Sequence, residues 1–169
     1  YGNAGAFGGD VSMNLIWADV LTKNGRERMS VEQMGYGYRT SVFKRGEIHA
    51  IVLSALLRLK NSAKEEVSVK IEQFSERRKA TQPPGASMGS MFKNPEGDHA
   101  GRLIEAAGLK GTRIGNAEIS TLHGNFFINH GETRADDILA LIRLVQKTVR
   151  EKFGVQLELE VELVGEWNE

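Results

Sequence analysis

One stretch near the end of the chain restricts the fold more than any other. Residues 135–153 place Ile138, Leu141, Ile142, Val145 and Val149 at helical spacing, and Gly154 ends the run. A period of about 3.6 residues puts these side chains on one stripe, and a glycine just past it accepts the left-handed conformation that stops a helix. From Val155 the period changes to two. Val155, Leu157, Leu159, Val161 and Leu163 alternate with Gln156, Glu158, Glu160 and Glu162 over residues 155–164, the pattern of a half-buried strand. Helix and strand together point to an α+β fold.

Weaker patterns fill the rest. Residues 11–21 read as a strand, Asn24-Gly25 as a hairpin turn, and Ser30 to Gln33 as a capping box opening a short helical turn. Residues 48–59 are mostly apolar and predict a buried strand, with a helix as the competing reading. Asn61-Ser62 predicts the cap of a helix ending near Lys79, with Ala63, Val67, Ile71 and Phe74 on one face. All three prolines, Pro83, Pro84 and Pro95, lie between Thr81 and Asp98, which puts a domain boundary just before them. The expected domains are residues 1–79 and 80–169. A short helix over 99–107, closed by Gly108, and a strand over 125–129 complete the second.

Composition narrows the chemistry. Lys and Arg total 22 and Asp and Glu total 22, so the formal charge is zero, which argues against a general nucleic-acid binder. Cysteine is absent, which removes disulfides, thiolate metal sites and Cys nucleophiles. His49, His99, His123 and His130 lack ligand spacing, so no metal site is expected. No apolar run reaches the roughly 18 residues of a membrane span.

The stretch Gly85-Ala-Ser-Met-Gly-Ser-Met-Phe-Lys-Asn-Pro95 joins small residues, hydroxyls, a cation and an amide ahead of a helix. Such a loop can present backbone N–H groups and a helix N-terminus to a phosphate, and it can equally be a plain connection. Its spacing is not that of a P-loop. Arg39 can hold a carboxylate or phosphate through two parallel hydrogen bonds, or stand at the surface. Glu158, Glu160 and Glu162 share a strand face that is either solvated or opposed by a polar ligand. The segment from Tyr1 to Gly9 holds four glycines and suits close approach of a backbone to a ligand, or a flexible terminus.

Taken in order, several segments carry a resemblance. They are Asn3-Ala-Gly-Ala-Phe-Gly8, Tyr38-Arg-Thr-Ser-Val-Phe-Lys44, Gly89-Ser-Met-Phe-Lys-Asn-Pro95 and Ala107-Gly-Leu-Lys-Gly111. Ile114-Gly-Asn-Ala117, Ser120-Thr-Leu-His-Gly-Asn-Phe126 and Leu157-Glu-Leu-Glu-Val161 follow. The ordered set resembles the UDP-N-acetylenolpyruvoylglucosamine reductases, also called UDP-N-acetylmuramate dehydrogenases, in their shorter subclass. The resemblance implies a cytoplasmic flavoenzyme of peptidoglycan precursor synthesis. In that family NADPH reduces FAD, and UDP-N-acetylglucosamine enolpyruvate is reduced to UDP-N-acetylmuramate. It implies an FAD-binding domain of the vanillyl-alcohol-oxidase-like type, of which residues 1–79 match the second half, and a UDP-sugar domain over 80–169.

By the same resemblance Ser90 is the proton donor, and Arg39 and Glu160 polarise the enolpyruvyl group. Asn3, Ala4, Gly5 and Ala6 match the end of the FAD-binding stretch, and Gly89, Lys93 and Asn94 the substrate loop, with Asn94 toward the diphosphate. Gly2 replaces the family's usual methionine. The family's N-terminal FAD region has no counterpart here. The chain is therefore expected to be a truncated form that binds FAD weakly, with a UDP-sugar-binding fragment or a noncatalytic relative as the alternative.

Overall fold

A computed structural model describes residues 1–167. The chain divides into two compact units, Tyr1–Ile71 and Glu72–Glu169.

Unit 1 is built on hairpins. β1 (Gly5–Ala6) and β2 (Gly9–Asp10) pair antiparallel. The two residues joining them, Phe7 and Gly8, both have positive φ (52° and 83°), the mirror-image turn that matches strand twist. β3 (Leu15–Thr22) and β4 (Gly25–Ser30) form the expected second hairpin, in register from Trp17↔Ser30 to Thr22↔Gly25. β5 (Ile51–Leu57) joins the other side of β3, giving the order β4-β3-β5. Central β3 supplies Leu15, Ala18 and Val20 to a core completed by Met29, Met34, Val42 and Phe43. Asp19, also buried, receives hydrogen bonds from Arg26 (2.7 Å), Arg28 (2.8 Å) and Ser54 (3.3 Å). The two guanidiniums, Arg28 foremost, hold its carboxyl far below the usual range. The capping box forms as read: Gln33 accepts the Ser30 N–H at 2.8 Å and Ser30 Oγ the Gln33 N–H at 3.4 Å. It closes a turn over 31–35 and no helix follows.

Two expectations about burial need correction. Residues 48–59 do hold a strand, yet every residue of β5 is exposed. β5 is an edge strand, and the core of unit 1 takes Ile48 and Ala50, which precede it, as partly buried members. Helix α1 (Lys64–Thr81) starts and ends about two residues later than expected and buries none of its residues. Val67, Ile71 and Phe74 are exposed, so apolar spacing here does not mark a face covered within the described residues.

Unit 2 packs two helices with a three-stranded antiparallel sheet. α2 (Ala100–Ala106) is followed by β6 (Arg113–Ile114), β7 (Ala117–Ile119) and β8 (Phe127–Asn129), in the order β6-β7-β8. α3 (Ala135–Phe153) has the expected bounds and buries Leu139, Leu141, Ile142, Val145 and Val149. Gly154 ends it in the left-handed conformation at φ 70°. Leu141, Ile142, Val145 and Val149 meet Met91, Phe92, Leu103, Ile104, Ile119, Phe127 and Leu157 in one core.

Residues 155–164 do not form the expected regular strand. They run extended beside Phe92 with a single antiparallel bridge, Phe92↔Leu159. Leu157 is buried and Val155, Leu159 and Val161 partly so, while Leu163 and Val164 are exposed. The partner segment is itself held by isolated bridges, Phe92↔Leu159 on one side and Ser90↔Phe126 on the other, and forms no continuous strand.

Candidate active site

The loop that carries Ser90 is held from two sides. On one side the Met91 N–H donates to Asn125 C=O at 2.9 Å. The Asn125 carboxamide accepts the Phe92 N–H at 2.9 Å and donates to Phe92 C=O at 2.8 Å. On the other side the Lys93 N–H donates to Glu158 C=O and the Glu160 N–H to Met91 C=O, both at 2.9 Å. Lys93 Nζ reinforces this edge with a 3.0 Å ion pair to Glu158. The Met91 and Phe92 side chains, fully buried, anchor the loop in the core. Ser90 and Glu160 are both half-buried, and Glu160 lies across from the residue that follows Ser90. The structure thus brings the Ser90 and Glu160 backbones together.

Gly89 opens the loop at a φ that side chains rarely adopt, with nothing within 4 Å of where a Cβ would stand. A cavity of about 530 Å³ opens close by, lined by Ala86, Ser87, Met88, Ile138, Val161 and Glu162 among others. Neither Ser90 nor Glu160 lines it; its lining includes Met88, two residues before Ser90, and Val161, next to Glu160.

The Asn94 side chain reaches the start of α2. Its Oδ1 accepts the Ala100 N–H at 3.1 Å, at the first residue of α2. Asp98 Oδ1 accepts the His99 N–H at 2.6 Å, and its carboxylate pairs with Arg102. The Arg102 hydrogen bond, then that of the His99 amide, lowers the Asp98 carboxyl to about 2. The start of α2 is therefore already capped by the chain's own side chains, and the Asn94 amide shapes the loop through that cap.

Arg39 and the glycine-rich segment form a second cluster, within unit 1. Arg39 Nη2 donates to Gly5 C=O at 3.0 Å, and the residue sits in the left-handed region at φ 54°. A Cβ on Gly5 would stand 2.9 Å from Gly9 O, 3.0 Å from Asp10 Cβ and 3.2 Å from Arg39 Nη1, so only glycine fits. Buried Asn3 accepts the Ser12 N–H at 3.0 Å and donates to Gly37 C=O at 3.1 Å. Its amide is committed to holding the loop. Ala4 and Ala6 are exposed, and their small side chains leave the backbone open to a flat ligand. Asn3 is the internal clamp of this segment. Among the described residues no group of three or more His, Cys, Asp or Glu could hold a metal ion. No helix among the described residues is long and apolar enough to cross a membrane.

Sequence reasoning passed over Asn125 and His123 as individual functional residues, although both lie in the Ser120 to Phe126 motif. His123 Nδ1 accepts the Asn125 N–H at 3.2 Å, and its ring meets Phe126 edge-on at 4.8 Å. Burial, with a smaller push from Lys110, lowers its pKa and favours the neutral ring that this acceptor role needs. An asparagine at the head of an apolar run was the only local signal.

Residues 80–164 match the family model described as "UDP-N-acetylenolpyruvoylglucosamine reductase, C-terminal domain". A UDP-N-acetylenolpyruvoylglucosamine reductase of Bacillus licheniformis is 42% identical over 168 residues, covering 98% of this chain and 91% of that relative. The chain belongs to the UDP-N-acetylenolpyruvoylglucosamine reductase family. The reductase of Chloroflexus aggregans is 49% identical over 96% of this chain and 56% of its own length. The crystal structure of the reductase from Thermus caldophilus superposes with a TM-score of 0.82 at 40% identity, covering 95% of this chain and 57% of that one. The chain thus spans little more than half the length of most of these reductases. Ser90, Lys93, Asn94, Asn125 and Glu160 lie inside the matched reductase C-terminal domain, and Arg39 and residues 3–6 lie before it.

Proposed function

We propose that this chain carries the reaction for which its relatives are named. The enolpyruvyl ether of UDP-N-acetylglucosamine enolpyruvate is reduced to the lactyl ether of UDP-N-acetylmuramate, in cytoplasmic synthesis of peptidoglycan precursors. Residues 1–79 are part of an FAD-binding domain of the vanillyl-alcohol-oxidase-like type, and residues 80–169 bind the UDP-sugar. When bound, FAD reduced by NADPH supplies the hydride. Family membership and the doubly clamped Ser90 loop support this reading.

Across the carbon–carbon double bond the product gains one hydride and one proton. Hydride goes to the terminal methylene, which becomes the lactyl methyl, and negative charge develops toward the carboxylate. Arg39 offers a fixed cation for that carboxylate, a preorganised donor where charge accumulates. The Ser90 hydroxyl delivers the proton to the neighbouring carbon. A serine is a weak acid, so the reaction needs it held close and correctly aimed. Glu160 stabilises the intermediate from the segment bonded to the Ser90 loop. Lys93 supplies positive charge for the diphosphate, Gly89 lets it approach the backbone, and Asn94 holds the loop end against α2.

Two measurements test the reading. A protein of the relatives' full length carrying this sequence should consume NADPH only with the enolpyruvyl substrate and yield a product two hydrogens heavier. In the 169-residue chain, UDP-N-acetylglucosamine should shift the amide signals of Gly89 and Lys93. Shifts confined to residues remote from this loop, with no substrate-dependent NADPH oxidation, would defeat the proposal.

A further inference from the structure

Ser90 and Glu160 are both held through the three residues that follow Ser90. From the Met91 N–H to the Lys93 N–H every backbone donor and acceptor has a partner. Met91 is bonded to Asn125 C=O and the Glu160 N–H, and Lys93 to Glu158 C=O. Phe92 is different: both of its backbone groups bond to one side chain, that of Asn125. A carboxamide sets an acceptor beside a donor, as a peptide edge does, so Asn125 stands in for a missing strand. The residue is 3% exposed, which keeps water from competing for either bond. Its own N–H is fixed by His123 Nδ1.

The geometry needs an acceptor and a donor on one short side chain. Aspartate has the same shape but sets an oxygen against Phe92 C=O. Serine or alanine leaves buried backbone groups unpaired. Upstream of the clamp Ser90 makes an isolated bridge to Phe126, and the chain then reaches Gly89, at φ 84° and with no neighbour within 4 Å of where a Cβ would stand.

We infer that Asn125 is the positioning residue for the Ser90 hydroxyl, fixing the loop at Phe92 so that it cannot pivot about Gly89. This rests on the reading of Ser90 as proton donor. A displacement of about 1 Å in a proton donor lowers a rate by roughly 10²-fold, so a clamp two residues away has a kinetic consequence.

Asn125→Asp and Asn125→Ser are read in parallel, so that if one fails to fold the other decides. In the 169-residue chain, amide hydrogen exchange at Phe92, Lys93 and Glu160 should accelerate about tenfold or more. Exchange at Val145 and Val149 in α3 should stay unchanged. Equal acceleration at both places would make Asn125 a general fold residue and overturn the inference. The second readout is a double-mutant cycle in the protein of the relatives' full length. Asn125→Asp should lower kcat by about 10–10²-fold with KM little changed, yet by less than about twofold when Ser90 is already alanine. A full additional loss in the Ser90→Ala background, or no loss with Ser90 intact, would overturn the positioning role alone. Wild-type kcat in Ser90→Ala itself would instead overturn the reading of Ser90 as proton donor, and the inference with it.

Discussion

Truncating Leu157 separates the observed structure from the simple alternating pattern. That pattern puts Leu157 and Leu163 on one strand face and gives them equal weight. In the structure Leu157 is 1% exposed and belongs to the core of unit 2, whereas Leu163 is 41% exposed. Leu157→Ala removes three buried carbon groups at about 0.8 kcal/mol each. The cavity left behind adds to this, for a total of about 3–4 kcal/mol. Leu163→Ala should cost no more than about 0.5 kcal/mol, as at most surface positions. The assay is urea unfolding followed by Trp167 fluorescence in a Trp17→Phe background, which isolates the signal of unit 2. With a slope of about 1–2 kcal/mol per molar urea, the Leu157 midpoint should fall by about 1.5–4 M and the Leu163 midpoint by less than about 0.5 M. Glu160 should also lose amide protection in Leu157→Ala, because its segment has only two backbone bonds to its neighbour. Equal losses in the two variants would show that the segment pairs as a regular strand and would refute this reasoning.

Other tests follow from the geometry. Asp98 has a folded pKa lowered to about 2 by Arg102 and the His99 amide, so its contribution is fully present above the unfolded carboxyl range near 4. That contribution should be lost as the pH falls from about 4 to about 2: the stability difference between wild type and Asp98→Asn, measured by thermal unfolding at each pH, should shrink over that window. Gly5→Ala should destabilise unit 1 by about 1–3 kcal/mol, because its nearest clash is with the backbone oxygen of Gly9, which cannot rotate away. A melting point equal to wild type would contradict the close packing there. Lys93→Ala should raise the dissociation constant for UDP more than that for uridine, measured calorimetrically; an equal change for both would argue against a diphosphate contact.

Local patterns were legible where the structure depends on local causes. α3 needed only its stripe and Gly154, and the Ser30 capping box needed only two side chains three residues apart. Burial was less legible. The apolar run of β5 specifies a strand, but nothing in it specifies what covers that strand, and all of its residues stand exposed. Residues 155–164 alternate correctly up to Leu159, where the bridge to Phe92 ends the pairing. Whether alternation becomes a ladder depends on the length of a partner some 65 residues away, which the alternation does not encode. The ordered motifs led to the Ser90 loop and Arg39. Asn125 escaped notice because its two bonds to Phe92 span 33 residues.

The account rests most directly on the Ser90 hydroxyl. The deciding measurement is steady-state turnover of UDP-N-acetylglucosamine enolpyruvate by the protein of the relatives' full length, comparing wild type, Ser90→Ala and Ser90→Cys. Ser90→Ala should lower kcat by at least about 10²-fold with KM little changed, as for a lost general acid. Ser90→Cys should recover part of that rate, because a thiol can donate a proton from nearly the same place. Wild-type kcat in Ser90→Ala would contradict the assignment and shift the proton donor to Glu160, the other proposed catalytic residue held by the same loop.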